Sequence, residues 1–340
     1  MTPSSSTPEG VSESNDTPTL GGLGEFGLID RVTRDRPPSA ATLLGPGDDA
    51  AVVAQPDGRV VACVDVLVEG VHFRLDWSRP QDVGRKAVAA NLADVAAMGA
   101  APTGLLVGLV APADTPVATL EGLADGMWAE AQVVGVGLVG GDVAAGPALM
   151  ISVTALGSLE GREAVLRSGA RPGDRVAVCG RLGWAAAGWA VLSRGFRSPG
   201  AVVGAHRAPE PPYAAGPAAA FAGATSMIDV SDGLLADLGH VAAASAVQIS
   251  LERGAFAVPE RLAEVGAALG VDPVEWVLTG GEDHALAATF PPDVALPEGF
   301  TVVGVVAEGA GVLVDGEPYG GGAGWEHFTP SQQQEGTLAP

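Results

Sequence analysis

Met227-Ile228-Asp229-Val230-Ser231-Asp232-Gly233 decides how the chain is read. A short apolar run delivers Asp229, Ser231 and Asp232 to a strand end and hands over to an amphipathic helix whose apolar face is Leu234, Leu235, Leu238 and Val241. Carboxylates gathered at such a junction suit a metal-bound phosphate. The same pattern is expected at Gly47-Asp48-Asp49, at Asp65 after the apolar run from Val60 to Val64, and at Gly140-Gly141-Asp142 after the run from Val136 to Val139. Four such places predict one convergent acidic site.

Outward from that stretch, the chain divides. At 340 residues it exceeds the roughly 100 to 200 residues of one domain, so two domains are expected. The pattern is α/β in both: strands at 50–54, 60–68, 104–110, 136–139 and 148–156 alternate with helices at 25–34, 81–99 and 120–133. The turn Pro56-Asp57-Gly58 predicts a hairpin between the first two strands. The segment from Gly157 to Gly173 has the weakest apolar periodicity and marks the boundary. Residues 21–158 and 159–329 are therefore read as an N-terminal and a C-terminal α/β domain. In the second, strands are expected at 175–179, 226–230, 284–290 and 302–306 and helices at 184–194, 233–245 and 261–269, with 197–217 a Pro- and Ala-rich connection. Residues 1–20 are poor in apolar side chains and are expected to be a disordered tail, with 330–340 frayed.

Charge removes whole classes of partner. A formal charge of -22 argues against a nucleic-acid backbone, which needs clustered Lys and Arg to displace counterions. Lys86 is the only lysine, which excludes the lysine-based phosphate grips. Any phosphate must be met by Arg and by metal. Cys63 and Cys179 are far apart with no CxxC spacing and no secretory signal, which predicts a reducing cytoplasm. Every long apolar stretch is broken by Gly or Pro, so no membrane association is expected.

The candidate metal ligands are Asp48, Asp49, Asp65, Asp94, Asp142, Asp229 and Asp232. Hard oxygen ligands select Mg2+ or Ca2+, and no His or Cys cluster has zinc spacing. Asp94 lies three residues after Asn91 on an otherwise apolar helix face, where a carboxylate is costly unless paired or metal-bound. For other residues two readings stand. His72 in Gly70-Val71-His72-Phe73 suits a ligand contact or ordinary packing, and Arg167 suits a phosphate or the surface. Glu282 in Gly280-Gly281-Glu282-Asp283 follows a tight turn, and Trp325 suits stacking or core packing.

Taken in order, Gly45-Pro46-Gly47-Asp48-Asp49-Ala50-Ala51, Val71-His72-Phe73, Asn91-Leu92-Ala93-Asp94-Val95-Ala96-Ala97-Met98-Gly99, Gly140-Gly141-Asp142, Ile228 to Gly233 and Gly280-Gly281-Glu282-Asp283 resemble the thiamine-monophosphate kinase family. The resemblance spans about Glu25 to Phe328, and several motifs are shared with a wider superfamily that includes aminoimidazole-ribonucleotide synthetase. Val71-His72-Phe73 and Gly324-Trp325-Glu326-His327-Phe328 favour the kinase within it. The resemblance implies an N-terminal α/β domain that pairs with its twin in a dimeric β-barrel, and a C-terminal α/β domain covering the nucleotide. It implies several Mg2+ ions on Asp49, Asp65, Asp94, Asp142, Asp229 and Asp232, and ATP on Gly141, Asp142, Arg167 and Ser231. Thiamine monophosphate would meet His72, Glu282 and Trp325, with Asp142, Asp229 and Asp232 catalytic in a homodimer. Cys63 and Val64 stand where the family often has hydroxyl residues.

On that resemblance the expected reaction is ATP plus thiamine monophosphate giving thiamine diphosphate and ADP, by direct in-line transfer assisted by Mg2+. The acceptor is a phosphate already largely ionised at pH 7, its second pKa being about 6, so no strong general base is required. The rivals are an ATP-using relative that activates a carbonyl or amide oxygen, and a non-catalytic acidic module that binds metal or nucleotide.

Overall fold

The computed structural model describes residues 18–44 and 51–325. In the first half, strands β1 (Thr42–Leu44), β2 (Val52–Val53), β3 (Val61–Val68), β4 (Ala101–Ala111), β5 (Leu138–Ala145) and β6 (Met150–Ser158) alternate with helices α1 (Leu20–Leu23), α2 (Glu25–Thr33), α3 (Pro80–Ala97) and α4 (Val117–Val133). The second half holds β7 (Arg175–Cys179), β8 (Ser226–Val230), β9 (Gln248–Leu251), β10 (Ala285–Phe290), β11 (Thr301–Ala307), β12 (Gly311–Val314) and β13 (Glu317–Pro318). Its helices are α5 (Trp184–Ser193), α6 (Gly200–Arg207), α7 (Ala215–Ala222), α8 (Leu234–Ser245), α9 (Glu260–Leu269) and α10 (Pro273–Thr279). The mixed α/β class is as expected.

Strands β3, β6, β4 and β5 form a four-stranded sheet in that order. Only β4 and β5 run parallel, joined by the crossover helix α4. The expected hairpin is absent: β2 pairs with β1, while β3 takes β6 from the far end of this half. One face of the sheet packs on α3 and α4 through Val83, Val88, Leu92, Leu105, Ile151 and Val153, each 1% exposed or less. Burying an aliphatic side chain of this size is worth about 1.5 to 3 kcal/mol, so this layer dominates the stability of the half. The two helices touch backbone to backbone. A side chain on Gly84 would come within 2.0 Å of the Leu123 carbonyl oxygen, and one on Gly126 within 2.0 Å of that of Gln81.

The second sheet has seven strands in the order β13-β12-β9-β11-β7-β10-β8, of which only β12 and β9 pair in parallel. Helices α5, α6, α8, α9 and α10 cover one face. The other face meets α7 and the end of α3, where Ala96 and Ala97 join Ala219, Leu286 and Phe290. Helix α3 therefore contributes to both cores. Every residue of β8 and β10 is buried, which explains why both read as unbroken apolar runs rather than alternating ones.

Several sequence expectations change. Residues 197–217 are no plain connection; they carry α6 and the first turn of α7, hidden because both helices are short and set among Pro and Gly. The expected tail 1–20 ends in order: Thr19 bridges Pro116 and Leu20 is buried, because an apolar side chain there can reach the first core. Residues 1–17, 45–50 and 326–340 lie outside the described residues, and with them fall Asp48, Asp49 and the frayed end expected at 330–340. Helix α8 opens on Gly233, and the Asp237 carboxylate in its first turn accepts from the amides of Asp232 and Gly233, both at 3.1 Å. Among the described residues no helix is long and apolar enough to cross a membrane.

Candidate active site

Of the described acidic motifs, only the Asp229 stretch is a strand-to-helix junction. Asp65 sits in the middle of β3, and Asp142 inside β5, which continues to Ala145. The opening of α3 explains how Asp65 and Asp94 meet. Pro80 starts the helix, and the Asp82 carboxylate closes its first turn with Arg79 at 2.7 Å. Further along, the fully buried Asn91 fixes the edge of β3. Its side-chain oxygen accepts from the Asp65 amide at 3.1 Å, while its nitrogen donates to the Ala87 carbonyl at 3.0 Å. Asp94 follows on the same helix face.

Three carboxylates then share one buried region. Burial pushes Asp94 up to about 7, with the charges of Asp229 and Asp65 adding to the effect. Asp65 is raised by burial and by Asp229, against the pull of His284. Asp229 is buried, and its Oδ2 lies 3.0 Å from Nδ1 of His284. Burial works against a proton on His284, yet the hydrogen bond and charge of Asp229 outweigh it and raise the imidazole. One imidazole thus faces three acids. Negative charge is left over, and hard oxygen donors with surplus charge suit Mg2+ chemically. As the side chains stand, no group of three or more His, Cys, Asp or Glu among the described residues is spaced to hold an ion.

Next to this cluster two loops pack on each other. The Glu282 amide donates to the Ser231 carbonyl at 2.8 Å, and the His284 amide to that of Val230 at 3.0 Å. Gly281 permits the approach, since a side chain there would come within 2.2 Å of the Ser231 oxygen. The Trp325 amide donates to the Asp232 carbonyl at 2.9 Å, which brings the last described residue to the same loop. Ser231, Asp232, Glu282 and Trp325 are therefore gathered at the end of β8.

His72 is joined to this group by a residue that the sequence had set aside. The Lys86 ammonium donates to the His72 carbonyl at 3.2 Å and lies 2.8 Å from Oε1 of Glu282. Nδ1 of His206 lies 3.3 Å from the other Glu282 oxygen. Burial alone would raise the Glu282 carboxyl, but the Lys86 charge and His206 reverse this and hold it far below the usual range. Lys86, His206 and His284 were not singled out from sequence. A lone lysine in an alanine-rich helix and a histidine directly after Gly-Gly-Glu-Asp were the available signals.

Asp142 and Gly141 are elsewhere. Strand register aligns Asp142 with Gly108, Ser152 and Val66, three strands from β3, or about 14 Å at ordinary strand spacing. Val66 and Val64 point away from α3 and are exposed, whereas Cys63, Asp65 and Leu67 alternate toward it. Within one chain Asp142 and Asp65 thus project from opposite faces. Arg167 is exposed in a single helical turn, Arg167–Gly169, laid beside β8 by the bond from the Met227 amide to the Leu166 carbonyl at 3.3 Å. A groove of about 460 Å3 next to that turn, between residues 162–169 and 220–225, holds none of the acids.

Residues 47–159 match the family described as AIR synthase related protein, N-terminal domain. A thiamine-monophosphate kinase of Mycobacterium tuberculosis is 53% identical over 321 residues, which cover 94% of this chain and 96% of that one. The chain belongs to the thiamine-monophosphate kinase family. Family members also share the architecture. A thiamine-monophosphate kinase structure from Stenotrophomonas maltophilia K279a superposes with a TM-score of 0.73 at 34% identity, covering 86% of this chain and 96% of the other. AaThiL complexed with AMPPCP and TMP gives a TM-score of 0.74 at 32% identity, over 92% and 100% of the two chains.

Proposed function

We propose that this chain transfers the terminal phosphoryl group of ATP to thiamine monophosphate, giving thiamine diphosphate and ADP by direct in-line attack. The observation that carries this reading is near full-length identity of 53% to a family member, together with a buried acid cluster flanked by the Ser231 and Glu282 loops. The structure of AaThiL with AMPPCP and TMP supports the choice of both substrates.

Asp65, Asp94 and Asp229 would hold Mg2+, and the family resemblance adds Asp49 and Asp232 to the set. Bound there, the metal would neutralise the phosphates and screen the repulsion between two anions. The protein's own part is positioning. His284 holds the Asp229 carboxylate in place, and Asn91 fixes the Asp65 backbone. Ser231, just after β8, and Arg167, in the turn beside that strand, would contact ATP, while His72, Glu282 and Trp325 would receive the acceptor. Because the acceptor phosphate is already ionised, fixed geometry rather than proton removal supplies most of the rate.

The exposed Val64, Val66 and Leu106 make an apolar outer face on the four-stranded sheet, and a homodimer closing through it is part of this proposal. Such a dimer would bring Asp142 and Gly141 into the interface, so that they reach ATP and metal only in the assembled enzyme. A division near residue 158 into two domains, and a cytoplasmic setting, complete the reading.

Purified protein with ATP and Mg2+ tests it against a panel of acceptors. ADP release with thiamine monophosphate and not with a carbonyl or amide acceptor is expected, with thiamine diphosphate as product. No ADP release with any acceptor would leave a metal-binding module instead. Recovery of a labelled aspartyl phosphate after quenching would count against direct transfer.

A further inference from the structure

Lys86 is the only lysine in the chain, and its side chain is 6% exposed. A buried ammonium has three N–H donors to satisfy. Here all three are used: on the His72 carbonyl at 3.2 Å, on the His206 carbonyl at 3.3 Å, and on Oε1 of Glu282 at 2.8 Å. Nothing remains to grip a phosphate. The three acceptors come from different parts of the fold. His72 follows β3 of the four-stranded sheet, His206 closes α6, and Glu282 follows α10 on the way into β10 of the seven-stranded sheet.

Glu282 also stands in an unfavourable backbone conformation, with φ at +67°. A residue with a Cβ keeps such a conformation only where its surroundings over-determine it. Those surroundings are the Ser231 carbonyl on its amide, and Lys86 and His206 on its carboxylate. Even so held, the Glu282 side chain keeps 37% of its surface exposed. Lys86 therefore orients a charged group that remains open to a ligand.

We propose that Lys86 is a positioning residue for the acceptor: it sets the Glu282 carboxylate and the His72 turn relative to each other, across the two sheets, before thiamine monophosphate binds. The proposal rests on the kinase reading above. Its chemistry is specific, because the organic part of that substrate carries a cationic ring that an aimed carboxylate attracts.

Steady-state kinetics of the full chain test it, with Lys86→Met, Glu282→Gln and the double variant. Lys86→Met should raise KM for thiamine monophosphate about tenfold or more while KM for ATP stays within about twofold. In the Glu282→Gln background the same change should add less than about twofold, since its route of action is already cut. Effects that multiply, or an unchanged acceptor KM in folded Lys86→Met, would overturn the proposal. Should Lys86→Met fail to fold, Lys86→Arg keeps the charge but not the three-point geometry. It must then show the same selective rise, and equal changes in both KM values would reject the idea. Wild-type protein separates the two levels: no ADP release with thiamine monophosphate sinks the kinase reading and this proposal together, whereas active wild type with an indifferent Lys86 variant sinks positioning alone.

Discussion

Two buried polar clusters lie close together in this molecule and are opposite in design. Around Asp65, Asp94 and Asp229 the charges are alike, and burial raises two of the acids with His284 as the one offset. Around Lys86 the charges cancel, and Glu282 is held ionised. Like charges that are kept buried await an outside cation, whereas a carboxylate paired with a buried ammonium is held in one place. Burial by itself therefore says little about function; the residual charge says more.

Breaking the balanced cluster should cost most. Glu282→Ala strands the Lys86 ammonium without its anion, and loss of about 3 kcal/mol of stability is expected in denaturant titration. A shift within experimental error would show that water reaches Lys86 freely and that the cluster is not closed. The unbalanced cluster should respond in rate instead. Asp229→Asn is expected to lower turnover about 100-fold, near 2.7 kcal/mol in the transition state, while metal-free protein melts no lower than wild type. Turnover within threefold would remove Asp229 from the site.

Asp142 belongs to neither cluster and sharpens the contrast. Being exposed on the outer sheet face, Asp142→Asn should leave folding intact while reducing turnover by more than about tenfold. An additive loss in a monomeric variant would argue that Asp142 acts without a second copy. The smallest effect is one of sign. Asp94 is raised to about 7, above its unfolded value near 3.9, so its contribution favours folding at low pH and is lost as pH climbs from about 4 through about 7. Metal-free Asp94→Asn should flatten that decline and gain about 1 kcal/mol at pH 8, read by thermal melts across pH. A variant less stable than wild type at pH 8 would mean that the carboxylate is already compensated.

Local patterning carried much of the fold. The strand at 226–230, the helix after it and the helix over 81–99 were legible because apolar pattern is local. Pairing was not: β3 took β6 rather than its neighbour, because a two-residue β2 cannot outbid a full-length partner. Helices α6 and α7 escaped notice because each is only eight residues long and set among Pro and Gly, which read as loop. Candidate acids could be picked from sequence by residue type, but of the described ones only Asp229 lies at the expected strand end, with Asp65 and Asp142 inside strands. Lys86 and His206, which face Glu282, and His284, which faces Asp229, were not singled out, because each is defined by what it faces.

From sequence alone the chain determined its class, its acidic character and which side chains are candidates for chemistry. Tertiary structure decided which of them meet. Asp65, Asp94 and Asp229 were brought to one region by α3 crossing both cores, and Asp142 was left on the outer face by strand register. The physical reason is that a side chain's type is fixed locally, whereas its neighbours and its net charge depend on contacts between residues far apart in the chain.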